Sequence, residues 1–138
     1  MPILDHSKPV DWYYNQSPFL FWSVIGVAYR TYSPDRVLFN SLAAKITERA
    51  YASLNPIHAS LCTVKGLLLL LNWPFPSSSL GQDIHFSLCG GMLHMAMQIG
   101  LHVPLSSQDF TRVRIRLKDE DIKDRAELWA HCVLVYER

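Results

Sequence analysis

Charge is scarce in this chain. Only 18% of residues are Asp, Glu, Lys or Arg, against roughly a quarter in an average soluble domain. Thirteen basic and twelve acidic residues leave a formal net charge of +1, which gives no chain-wide field for a phosphate backbone. Cysteine is scarce too. Cys62, Cys89 and Cys132 are scattered through apolar stretches with no CxxC pair, so they read as buried thiols in a reducing compartment and not as a disulfide framework. Long apolar runs are missing: FLFWSVIGVAY at 19–29 and LLLLL at 67–71 fall short of the roughly 18 residues that span a bilayer. The start MPILDHSKP lacks the basic and apolar regions of a signal peptide. The expectation is a soluble intracellular protein with no membrane partner.

What the chain does have is apolar mass. Of its 138 residues 49% are hydrophobic, including four Trp, six Tyr and six Phe. That suits one domain with a sizeable core, and the surplus of aromatic surface asks for a partner or for more of the same fold. Residues 1–16 read as an extended lead-in. Ser17-Pro18 then supplies an N-cap and a proline at the first helical position, before a helix apolar on nearly every side. Ser33-Pro34-Asp35 repeats that start, and Leu38, Leu42, Ile46 and Ala50 make a stripe along the following helix. A third helix covers about 57–72 and stops at Trp73-Pro74-Phe75-Pro76. A fourth runs over about 82–99, where Gly90 and Gly91 imply close approach of a neighbour. Residues 110–118, FTRVRIRLK, alternate with period two and read as an extended segment. The last helix opens on Asp119-Glu120-Asp121, carries Ile122, Ala126, Trp129 and Val133 as its stripe, and reaches Arg138 without a stop signal, as a cut chain would. The fold class is therefore all-α: an irregular bundle of four to five main helices.

Candidate chemistry is thin. His85 and His94 are about 13 Å apart along one helix, too far to share an ion, and no three ligands converge on a zinc site. Cys89 lies one turn from His85, but neither an oxyanion loop nor an orienting carboxylate accompanies them. Gly90-Gly91 sits between helical apolar residues and not after a strand, which excludes a phosphate loop. No residue is assigned catalysis, cofactor binding or metal ligation. The Arg112/Arg114/Arg116/Lys118 row is the best electrostatic feature, yet acidic residues 119–121 follow it directly, so a solvated or internally paired face is the stronger reading. Met92, Met95 and Met97 could line an adaptable groove, and Met92, Met95 and Trp129 together make a candidate effector pocket, with core packing as the plainer alternative. In MAMQIGLHVP, Gly100 stands where a helix ends with positive φ, and Pro104 blocks resumption.

Several of these segments carry a resemblance. Met95-Ala96 and Gly100-Leu101-His102, then a polar loop, then Leu128-Trp129 and Glu137-Arg138, resemble the fungal-specific transcription factor domain, the middle homology region of fungal zinc-cluster regulators. Ser17-Pro-Phe-Leu-Phe-Trp22 looks like that family's first core helix, and Thr63-Val-Lys-Gly-Leu-Leu68 like its leucine-rich one. The chain departs from the pattern where the arginine run thins to Arg125-Ala126-Glu127, where Ala130 replaces a second tryptophan, and where Glu137 stands for Asp. The resemblance implies that residues 17–138 are the first part of a larger helical regulatory domain. It also implies a nuclear parent that binds DNA and zinc only through a separate N-terminal module, whose six-cysteine spacing does not occur here. This segment would then act without catalysis, through the rest of the regulator, a co-regulator or a small-molecule effector. The alternatives are a helical interaction scaffold unrelated to transcription and an effector-sensing domain.

Overall fold

A computed structural model describes residues 5, 7–32, 35–75, 84–105 and 117–137. They form six α-helices and, among the described residues, no strand: α1 (Val10–Gln16), α2 (Pro18–Tyr32), α3 (Arg36–Ser53), α4 (Leu61–Asn72), α5 (Ile84–Gln98) and α6 (Asp119–Tyr136), with a 3-10 turn at Pro56–His58. The expected all-α irregular bundle is what the chain adopts. None of these helices is long and apolar enough to cross a membrane.

α4 is the axis of the bundle. Ser60 caps it by accepting from the Thr63 N–H at 3.2 Å. Thr63, Val64, Gly66 and all five leucines 67–71 are buried, which a helix achieves only with neighbours around most of its circumference. Those neighbours are α2, α5 and α6. α3 packs against α2 and sends Ile46 and Ala50 into the same core cluster as the α4 leucines, and Arg30 ties the end of α2 to the chain beyond α4 by donating to the Pro74 carbonyl at 2.9 Å. Phe75 is held there edge-on against Phe39 of α3, with ring centroids 5.8 Å apart.

Four local readings of the sequence change. Residues 10–16 are helical, not extended: α1 has Asp11 in its first turn, and Tyr14 packs edge-on against Phe21 of α2 at 5.4 Å. No α1 residue is buried, so it has no apolar period to read, and contact with α2 decides its conformation. The start of α3 moves on by a residue or two. Asp35 is itself the N-cap, accepting from Val37 and Leu38 N–H groups at 3.0 and 3.1 Å, while Ser33 and Pro34 lie outside the described residues. The α3 stripe is rotated: Phe39, Ala43, Ile46, Ala50 and Ser53 are buried and Leu38 is exposed. In α6 the buried residues are Leu128, Cys132 and Val135, with Ala126 exposed and Ile122, Trp129 and Val133 half-buried. Each stripe shifts by about one position, and alanine and cysteine stand on the buried faces beside larger residues. The arginine row at 112–116 lies outside the described residues.

The paired glycines of α5 divide. A Cβ at Gly91 would stand 2.6 Å from Leu54 Cδ2, at the end of α3, whereas one at Gly90 meets nothing within 4 Å. Close packing therefore explains Gly91 only. We expect Gly90→Ala to stabilise the chain by about 0.5–1 kcal/mol through helix propensity. Gly91→Ala loses that gain to the displacement of Leu54, so the two neighbours differ in sign or nearly so. Paired chemical denaturation of the two variants measures the difference; equal midpoints would contradict it.

Candidate functional site

The resemblance residues gather where α5 stops. Gly100 has φ 78°, the left-handed conformation that glycine adopts without steric cost. Around it the Gly100 N–H donates to the Met97 carbonyl and the Leu101 N–H to the Ala96 carbonyl, both at 3.0 Å. This pair of bonds is the Schellman arrangement, which closes a helix and turns the next residue inward. Leu101 is accordingly fully buried, beside Met95 and Ala96 in the core cluster.

α6 completes this end. Arg125 Nη1 donates to the Ile99 carbonyl at 3.3 Å, satisfying one of the acceptors that a helix leaves open at its C-terminus. One turn further along α6, Trp129 meets His102 with ring centroids 6.0 Å apart and planes tilted by 58°. Leu128, on the neighbouring face, is 1% exposed within the core. The structure thus brings together Met95, Ala96, Gly100, Leu101, His102, Leu128 and Trp129, and adds Arg125, whose role the sequence reading did not assign. Its signal was there: a helix terminus needs donors, and arginine spaced one turn before Trp129 can supply one. Glu137 is elsewhere, exposed at the far end of α6, where its N–H donates to the Val133 carbonyl at 2.9 Å. Arg138 lies outside the described residues.

This junction is built for rigidity. Met92 and Met95 are buried in the core and Trp129 packs against the same cluster. An open cleft of about 450 Å³ lies elsewhere, bounded by residues 16–19, the end of α3 and the start of α4. Among the described residues no three His, Cys, Asp or Glu side chains gather as metal ligands would. His131 Nδ1 lies 2.8 Å from the Glu127 carbonyl of its own helix.

The thiols are sequestered. Cys89 and Cys132 are buried, on the facing helices α5 and α6, and Cys62 is half-buried. Burial pushes the Cys132 thiol up from 9.0 to about 12, with the neighbouring Cys89 adding to the rise, and burial also raises Cys89. Both stay protonated and poorly nucleophilic. We expect iodoacetamide at mildly alkaline pH to modify Cys62 first, with the other two reacting only on unfolding. The same shift fixes a pH dependence. The Cys132 contribution to stability is complete below pH 9, where neither state ionises. It is lost as pH rises toward 12, by at most about 1.4 kcal/mol per pH unit. Denaturation midpoints of the wild-type chain and Cys132→Ala, followed from neutral to alkaline pH, would show the difference.

The profile of the fungal specific transcription factor domain matches residues 1–135. The chain belongs to this family. Among curated proteins it is similar to the putative transcription factor SEF1 of Eremothecium gossypii, with 31% identity over 121 residues, 84% of this chain and 11% of that protein. The putative transcription factor SEF1 of Kluyveromyces lactis is 29% identical over 133 residues, 93% of the chain and 11% of that protein. The regulatory protein LEU3 of Saccharomyces cerevisiae is 27% identical over 150 residues, 98% of the chain and 16% of that protein. The chain therefore spans between 11% and 16% of the length of these relatives. No solved structure gives a significant match.

Proposed function

We propose that this fungal transcription factor domain segment is a non-catalytic regulatory element of a nuclear DNA-binding regulator. It works through contacts with the rest of that regulator, a co-regulator or a small-molecule effector. The observation that carries the reading is the family match across residues 1–135. Relatives named as transcription factors support it, each matched over a small part of its own length. Zinc and sequence-specific DNA contacts belong, on this reading, to a separate module of the parent. Apolar side chains left on the outside, including Val37 and Leu38 of α3 and Leu134 and Tyr136 of α6, offer surface for contacts of that kind.

The test removes this segment from the intact regulator. Transcription from a target promoter changes while promoter occupancy by the regulator persists. Loss of occupancy itself, or unchanged transcription, overturns the regulatory reading. As a companion measurement, the isolated chain has no sequence-dependent affinity for duplex DNA at physiological salt, where nonspecific attraction has been screened away.

A further inference from the structure

We propose that the outward face of α5, along Phe86, Gly90, Leu93 and Met97, seats an apolar helix supplied by another part of the same parent polypeptide. α5 carries no charge: its 15 residues include no Asp, Glu, Lys or Arg. One side of it is accounted for, since Leu88, Cys89, Met92, Met95 and Ala96 are buried in the core. The opposite side repeats the pattern. Phe86, Gly90, Leu93 and Met97 fall at i, i+4, i+7 and i+11, the spacing of a stripe that meets a neighbouring helix. Yet Phe86 is 83% exposed, Leu93 and Met97 are only half-buried, and a Cβ at Gly90 would meet nothing within 4 Å. An uncharged helix with apolar residues on two sides belongs between other elements, and the second side of this one lies open among the described residues.

Gly90 supplies the fit. Glycine inside a helix weakens it, and nothing described in this chain uses the space at Gly90, unlike Gly91 beside Leu54. Between Phe86 and Leu93 it leaves a notch for one side chain of a crossing helix, as ridges enter grooves. The seated face must be apolar, because a charge pressed against this stripe would find no partner on α5. The size of the stripe decides the source. It is about 17 Å long and about 10 Å wide, a small part of the roughly 800 Å² that each partner of a stable separate pair buries. A second copy or a free protein held by this stripe alone would dissociate, whereas a segment of the same polypeptide faces it at roughly millimolar effective concentration. Relatives have ample chain of that kind, being matched over only 11–16% of their own length. The inference rests on the reading above that this segment belongs to such a longer regulator.

The test is thiol labelling of the intact regulator carrying Phe86→Cys. At a position as exposed as Phe86 is in this segment, the introduced thiol would react like a free one. Seated beneath a helix, it should react more slowly by about tenfold or more. Gly90→Leu, added to the same protein, fills the notch and should restore fast labelling at position 86, while Cys89 and Cys132 stay unmodified in the core. Free-thiol reactivity at position 86 before that change overturns the proposal, as does protection that survives it. Labelling of Cys132 together with position 86 would place the effect of Gly90→Leu in the core, and overturns it too. Protection that falls on dilution of the regulator would identify a second molecule as the cover, against the proposal. Transcriptional output is not part of the readout. Loss of protection therefore leaves the regulatory reading standing, and a regulator whose output ignores this segment can still show the protection.

Discussion

Leu68→Ala should cost this chain about 2–5 kcal/mol, measured as the shift in urea midpoint multiplied by the denaturant slope. Leu68 is fully buried in the middle of α4, with α2, α5 and α6 packed around that helix. The loss has two parts: the transfer free energy of the removed methyl groups, and the cavity left behind. The second is large where surroundings cannot collapse. Here α5 and α6 are tied to each other by the Arg125–Ile99 bond and α2 is tied to the far end of α4 by Arg30, so inward movement would strain contacts elsewhere. Domains of this size retain only about 5–15 kcal/mol in total, which makes a single truncation on α4 a large fraction of the whole. Leu134→Ala removes the same atoms from an exposed position on α6 and should stay within about 0.5 kcal/mol of wild type. Similar costs for the two would show that α4 is not the axis of the core.

The contrast between those two leucines also marks what the sequence discloses. α4 was legible because Leu67–Leu71 follow one another without a polar break, and a helix buried on most sides leaves no face to assign. Two ends were legible as well: Ser17-Pro18 and Gly100 carry local chemistry that acts over three or four residues, whereas the start of α4 lies at Leu61, capped by Ser60, and not near residue 57. The faces of α3 and α6 were not. Their stripes are marked by Ala43, Ala50 and Cys132 as much as by larger residues, and small side chains look neutral in a sequence although they are buried here. α1 escaped notice because its stability comes from Tyr14 meeting Phe21, a contact outside its own segment. The same reason hid the cleft: Ser17, Arg49, His58 and Ser60 come from separate elements, and only packing brings them round one space. The junction at Gly100 is legible as a helix stop, while Arg125 lies 26 positions from the Ile99 carbonyl it meets and acts on a backbone atom that no side-chain pattern reveals.

That stop carries the other large expected effect. Gly100→Val should destabilise the chain by about 2–3 kcal/mol, while Gly100→Asn should cost less than half as much. The left-handed conformation alone costs an ordinary L-residue roughly 1–2 kcal/mol. Valine adds a second γ-carbon that crowds the backbone further at positive φ, at a position that is itself buried. Asparagine tolerates the conformation and is found at helix stops for that reason. The damage should spread in a defined direction. If residue 100 leaves φ 78°, the Leu101 N–H can no longer reach the Ala96 carbonyl, Leu101 is withdrawn from the core, and the Ile99 carbonyl moves away from Arg125. The α5–α6 contact then loosens first, while α2 and α3 keep theirs. Hydrogen exchange would show this as lost protection at the end of α5 and along α6 near Leu128 and Trp129, with α2 amides unchanged. Uniform loss of protection across all six helices would instead mean that the helix stop and the core form a single cooperative unit, and that the junction has no local opening of its own.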